Sequence, residues 1–326
     1  MRAHTVACAL ALMAVSAAFP QAEEWLLKIN QAKAAEFGGD YRKAAALFRD
    51  AAKTAARFDP TDSRRVTAWN DLGTMEDALG HFADAEADYR RALRAAEQVG
   101  GKMSSAYAAV LSNLGGVSAE VGQTAAAERM LREALAIQRK SNPADEVRVA
   151  VAQDSLAGVL SVSGRLDEAE SLLRASTAVL ERHPAAWDET ALTLNELAVV
   201  SFLRGNCREA ERFVHRSVNI VEERVGPDHP MLVRPLNDLA TIMAHEGEPT
   251  DAAALLRRAM AIAEKSIGTD NRLYGRVLAN YAFCLRRTGE KAQAKAVQAQ
   301  AVQILKDSAL RNGIGATIDI TALRSK

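Results

Sequence analysis

Six histidines and three cysteines are the residues of this chain best suited to metal binding, proton transfer or nucleophilic attack. None stands in a spacing that such chemistry uses. His4, His81, His183, His215, His229 and His245 form no i, i+4 pair with another histidine or a cysteine, and the sequence holds no HExxH, no CxxC and no acidic calcium loop. Each histidine reads as a loop or surface residue. Gly38-Gly39, Gly100-Gly101 and Gly115-Gly116 are short pairs without the GxGxxG spacing that cradles phosphates, and no serine sits in a nucleophile elbow. Cys207 and Cys284 are expected to be free, partly buried thiols, because a disulfide needs Cα atoms within about 7 Å and the two fall at different places in distant repeats. No catalytic residue, metal or cofactor is expected, so the chain reads as non-catalytic.

The elements that must position any working surface are helices. Aromatic residues make up only 5% of the chain, while Ala, Leu, Glu and Arg, all strong helix formers, crowd it. Acidic and basic residues balance at 41 each; from Thr190 onward there are 19 Lys/Arg against 15 Asp/Glu, which leaves no basic stripe of the kind nucleic acid requires. At the start, Arg2 and His4 precede an apolar run from Thr5 to Phe19 that ends in Ser16, Ala17 and Ala18. That pattern is expected to be a secretory signal peptide over residues 1–22, cleaved after Ala18 or Ala22, which implies an exported, periplasmic or secreted protein. The alternative is a buried or membrane-resting first helix in an intracellular protein. Cys8 lies too early in the run to be a lipid-attachment site.

An internal repeat organises the rest. Gly39, Gly80, Gly122, Gly164, Gly205, Gly247 and Gly289 recur at steps of 41 or 42 residues. Five residues after each stands an alanine: Ala44, Ala85, Ala127, Ala169, Ala210, Ala252 and Ala294. Seven further on the residue is again small, through Ala51, Ala92, Ala134, Ser176, Ser217, Ala259 and Ala301. Eight residues before the glycines come Leu72, Leu114, Leu156, Leu197, Leu239 and Tyr281, each followed by Gly or Ala. Bulky residues nine after the glycine (Phe48, Tyr89, Leu131, Leu173, Val214, Leu256) complete the set, and Gln298 breaks it in the last repeat. The glycines suit a tight turn between two helices. The small columns allow close helix approach, and the large ones fill the space that remains.

These columns resemble the tetratricopeptide family, as Trp69-x2-Leu72-Gly73 followed by Ala85-x3-Tyr89, and as Ala44-x3-Phe48. Glu76 stands where the family has an aromatic. The 42-residue period resembles the kinesin-light-chain subclass, as do Leu194-Asn195-Glu196-Leu197-Ala198, Gly226-Pro227-Asp228-His229-Pro230 and Leu236-Asn237-Asp238-Leu239-Ala240. The resemblance implies an all-α, right-handed α-solenoid of seven helix–turn–helix repeats over residues 23–311, followed by a tail, 312–326. In that tail, alternation from Thr317 to Thr321 suits either a frayed end or a strand added to a partner's sheet.

The resemblance also implies a concave groove lined by the first helix of each repeat. Carried over, the groove positions are Asn70, Asp71, Asn113, Asp154, Asn195, Glu196, Asn237, Asp238 and Asn280, with Arg234 and Arg276 toward the C-terminal end. Asparagine amides both donate to and accept from a main chain, and arginines recognise carboxylates. The expected function is a scaffold or adaptor that binds extended peptide segments of other proteins. A structural or self-assembling envelope component is the alternative.

Overall fold

The computed structural model describes residues 21–312. The expected leader, but for Gln21 and Ala22, and the tail beyond Asn312 lie outside the described residues. Within them the chain forms seven antiparallel helix pairs. The first helices of the pairs (A helices) are α1 (21–37), α3 (Arg64–Ala78), α5 (Ser105–Glu120), α7 (Glu146–Val162), α9 (Trp187–Leu203), α11 (Val233–Glu246) and α13 (Arg272–Arg287). The second (B helices) are α2 (Tyr41–Ala55), α4 (Phe82–Gly100), α6 (Thr124–Ser141), α8 (Leu166–Leu180), α10 (Cys207–Val225), α12 (Pro249–Ser266) and α14 (Lys291–Arg311). Each B helix packs on its own A helix and each but α14 also on the next one, and successive A helices touch from α3 to α13. This is an all-helical α-solenoid.

Every glycine of the repeat column adopts a positive φ, between 76° and 97°, which an L side chain tolerates poorly. At Gly80 the turn closes by two backbone bonds of 2.8 Å, Gly80 N–H to the Asp77 carbonyl and His81 N–H back to Glu76. The helix thus ends with its last carbonyls satisfied. The alanine five residues on has no exposed surface in any of the seven repeats, and no member of the second small column exceeds 2% exposure. Where that column carries serine, the hydroxyl finds a backbone partner across the helix pair: Ser176 Oγ donates to the Ala150 carbonyl at 2.6 Å and Ser217 Oγ to that of Ala191 at 2.7 Å. Burial of the polar atom is thereby compensated.

Size complementarity is tightest at Gly73 and Gly115. A Cβ added to Gly73 would lie 2.8 Å from the ring of Tyr89, and one at Gly115 2.8 Å from Leu131. Glu76, in place of the family aromatic, is buried; it accepts from Arg49 of α2 and lies 2.7 Å from His81 Nδ1. Burial pushes its carboxyl pKa up, but the bonds from His81 and Arg49 more than compensate and leave it lowered. The same hydrogen bond raises the pKa of His81, against a smaller opposing effect of burial. An ion pair therefore replaces an apolar wedge between α2, α3 and the turn. Cys207 and Cys284 are free thiols, the latter fully buried. Gln298 is partly exposed on α14, the last helix of the described residues.

Two outcomes follow from this packing. Gly73→Ala should lower stability by about 1–3 kcal/mol of overpacking, less the roughly 1 kcal/mol that alanine gains in a helix; thermal or urea unfolding measures it. The His81–Glu76 bond should contribute most between the ordinary values of the two groups, 4.5 and 6.5. The raised histidine contributes fully below its unfolded pKa and loses its share as pH rises through the folded one. The lowered carboxyl loses its share as pH falls through its folded value. His81→Gln should thus destabilise more at about pH 5.5 than at about pH 8.5, by less than about 1 kcal/mol, since the imidazole is partly exposed and solvent screens the pair.

Candidate functional site

Curvature accumulated over seven repeats brings the first repeats against the last. A Cβ on Gly39, in the first turn, would lie 2.6 Å from Pro230 of the loop before α11. Beside it the Tyr41 and His229 rings meet edge to face at 6.2 Å. His229 is only 7% exposed, so it is no surface residue as its loop position suggested. Burial pushes its pKa down, with the backbone of Glu36 and Phe37 opposing. Its Nδ1 accepts from Met231 N–H at 3.3 Å, and the ring is neutral with the proton on Nε2. The second turn is held in the same way. Asn271 Nδ2 donates to the Ala78 carbonyl at 3.2 Å, Asn312 Nδ2 to that of Gly80 at 3.1 Å, and Ala83 N–H to Asn312 Oδ1 at 3.2 Å. In the third repeat Arg272 Nη1 donates to the Glu120 carbonyl at 2.6 Å. The solenoid therefore closes along a seam of turns against loops.

Closure narrows the concave groove into a lumen, and of the sequence-predicted residues Asn195, Arg234 and Arg276 line the cavity that remains there. The asparagines bond mainly to one another and to neighbouring carboxylates. Asn113 Nδ2 donates to Asn70 Oδ1 at 2.9 Å, and Asn70 Nδ2 to Asp71 Oδ1 at 3.4 Å. At the other end Asn195 Nδ2 donates to Asp238 Oδ2 at 2.9 Å, Asn237 Nδ2 to Asp238 Oδ1 at 3.2 Å, and Asn280 Nδ2 to Asn237 Oδ1 at 2.9 Å. The two ladders stop on either side of Asp154. Arg234 lies 3.8 Å from Glu196 and 4.0 Å from Glu120, bridging the ring from the sixth repeat to the third. Arg276 is exposed to the lumen and has no ion-pair partner among the described residues.

A cavity of about 240 Å³ opens between these elements, lined by Asp77, Glu120, Asn195, Arg234 and Arg276 with apolar Leu192 and Pro230. It is smaller than the roughly 300–1,000 Å³ of typical small-molecule pockets. Asp77 keeps some surface, but that surface faces the enclosed lumen. Desolvation there, and then the charge of Glu120, push its pKa up to about 7, with Arg234 opposing. Desolvation likewise raises Asp71, Asp154 and Glu196. Two acceptor oxygens on this wall have no partner, Asp154 Oδ1 and Asn195 Oδ1, whereas Asp71 Oδ2, without a hydrogen bond, faces Lys33 Nζ at 3.8 Å. Asp77, Glu120, Arg272 and the seam residues were missed by sequence reasoning, because they lie one or two turns beyond the family's groove positions. Away from the lumen, Glu76, His81 and Asp84 bring ligand-type atoms within 4.8 Å of one another, but Arg49 already occupies the Glu76 carboxylate.

The fold and this lumen define a tetratricopeptide-type repeat protein. The pattern of the MalT-like TPR region matches residues 6–308, and the chain belongs to that family. Comparison with curated proteins gives no match. Among solved structures, a Rap conjugation gene regulator of plasmid pLS20, in complex with the Phr* peptide, is similar with a TM-score of 0.67 and 12% identity, over 88% of this chain and 74% of that one. A Rap protein complexed with competence and sporulation factor is similar with a TM-score of 0.56 and 16% identity, over 89% and 99% of the two chains. BtubC (BKLC) from P. vanneervenii is similar with a TM-score of 0.53 and 18% identity, over 71% and 91%. At these identities the likeness is one of fold.

The seam makes its own prediction. Asn271→Asp combined with Arg272→Ala removes the bonds to Ala78 and Glu120 while keeping the side-chain oxygen that caps α13 through Leu273 N–H, and should raise the radius of gyration measured by X-ray scattering. Far-ultraviolet circular dichroism should stay unchanged, because every helix keeps its own repeat contacts.

Proposed function

We propose that the protein is a non-catalytic scaffold that binds an extended segment of another protein inside the lumen. The observation that carries this reading is the pair of unpartnered buried oxygens on the A-helix wall, Asp154 Oδ1 and Asn195 Oδ1. Leaving such atoms unpaired costs about 1–3 kcal/mol each, and a peptide main chain supplies hydrogen-bond donors at regular spacing. One structural neighbour was solved in complex with the Phr* peptide, which makes a peptide ligand a natural expectation for the same fold. The narrow cavity further implies that the seam parts as a segment enters. Export through the N-terminal leader belongs to the same proposal, and the mass of the mature N-terminus tests it. A photo-crosslinking residue at Leu192, half-exposed beside the cavity, should capture a partner in the source cells. The same residue at Arg129 on the outer face of α6 should not; equal capture at both positions would sink the lumen assignment.

A further inference from the structure

Two helix-interior glycines lack any packing reason to be glycine. Gly116 in α5 and Gly158 in α7 occupy the same repeat position, two residues after the column leucine. A Cβ on Gly116 would meet nothing within 4 Å; one on Gly158 would meet only Glu196 Oε2, at 4.0 Å. Gly73 and Gly115, by contrast, are forced by Tyr89 and Leu131. Glycine within a helix costs roughly 1 kcal/mol against alanine, so two neighbouring repeats carry that cost with no internal return. The equivalent residue of the sixth repeat, Thr241, accepts from Asn280 Nδ2 at 3.2 Å, which places this column beside the polar ladder on the lumen wall. Gly116 and Gly158 thus leave bare helix backbone beside the lumen.

The polar atoms left unpaired nearby are acceptors. Asp154 lies in the gap between the two amide ladders, and its Oδ1 is buried without a partner. Asn195, the same position one repeat later, is 98% buried and lines the cavity, as its relative exposure of 2% states. Its Nδ2 is committed to the carboxylate Asp238, which fixes the orientation of the amide and leaves Oδ1 as an unpaired acceptor. The charge acting on Asp154 is that of Glu196, with the Thr193 hydroxyl giving slight relief and no basic side chain contributing. Arg234, the nearest lumen cation to Glu196, is shared with Glu120. The polar atoms left unpaired on the wall of the fourth and fifth repeats are therefore acceptors, Asp154 Oδ1 and Asn195 Oδ1, while the donors beside them are already engaged.

We propose that this stretch of the lumen is a subsite for a basic peptide segment, whose main chain lies over Gly116 and Gly158 while a lysine or arginine side chain engages Asp154. This rests on the lumen reading above and specifies the ligand's chemistry. It also limits the role of Arg234 and Arg276, which would otherwise favour an acidic ligand. A cation on a desolvated carboxylate forms a charge-assisted bond about twice as strong as a neutral one, and main-chain N–H groups supply the donor that Asn195 Oδ1 lacks.

The test uses the full chain and fluorescein-labelled Gly/Ser peptides interspersed either with lysine or with glutamate, titrated by fluorescence anisotropy. The lysine peptide should bind at least about tenfold more tightly than the glutamate peptide, and Asp154→Asn should remove most of that difference, as loss of one charge-assisted bond predicts. Glu133→Gln, on the exposed face of α6, should leave it intact, which separates the subsite from general attraction. Gly116→Ala with Gly158→Ala should weaken binding about tenfold or more while raising the melting temperature, an opposition that a misfolded variant cannot produce. Equal or tighter binding of the glutamate peptide, no binding of the lysine peptide, or an Asp154→Asn variant that binds like the parent would each overturn the subsite. If capture at Leu192 succeeds in spite of such a result, the lumen still binds proteins and only the basic ligand is wrong. If that capture fails too, both readings fall.

Discussion

Everything in this molecule depends on how closely its helices approach at two columns of small residues. Fourteen positions, from Ala44 to Ala301, are alanine or serine, and all are buried. Their size sets the separation of B helix from A helix within a repeat and across to the next. Because each repeat contacts mainly its neighbours, that separation fixes a small rotation per repeat which accumulates along the chain. Seven repetitions bring the turn of Gly39 onto Pro230 and that of Gly80 onto Asn271. A column of alanines therefore decides, at a distance, that the groove is a closed lumen. Bulkier residues at those columns would change the pitch and open the ring without touching the seam.

Local rules were legible in the sequence to the residue. The glycine column appears as seven positive-φ turns, and the alanine column as seven positions without exposed surface. These features were readable because each repeat states them again, so that chance cannot imitate the pattern. The long-range ones were hidden for a corresponding reason. No single repeat encodes the seam, which follows only from the sum of small rotations, and so His229 read as a surface histidine although it is packed against Tyr41. Nor does sequence show that Asn113 bonds Asn70 or that Asn280 bonds Asn237. An asparagine at a groove position looks equally fit for a ligand and for its neighbour in the next repeat. Glu76 was visible as a departure, but its partners Arg49 and His81 belong to different columns and gave no signal.

The amide ladders can be understood as part of the scaffold. Residues on the inner wall of a curved array converge, so side chains from consecutive A helices come within bonding distance of one another. Amides and carboxylates at that radius satisfy each other and rigidify the wall, much as a fully connected polar network does in a core. Where the chain breaks the pattern, at Asp154 with Ser155 beside it and a glycine one turn on, the amide ladder is interrupted and Asp154 Oδ1 is left without a partner. The acceptor left over at Asn195 marks the same break from the other side.

That break has a physical consequence for how the ring is balanced. A connected ladder stabilises the curved wall and so favours closure, whereas unpaired acceptors and raised carboxyl pKa values in its middle oppose closure, since shutting the lumen strips water from them. Asp77, pushed up to about 7, and Asp154 both carry this cost in the closed state, while Arg234 between Glu120 and Glu196 works the other way. Donors brought by a ligand would reverse the sign of the middle term without altering the ladders at either end. The closed ring would then be most stable when filled, because the same desolvation that penalises an empty lumen strengthens each bond made inside it. On the proposed function, selection of a ligand and retention of it would be one property of the wall, set by which repeats carry polar partners for their neighbours and which carry glycine.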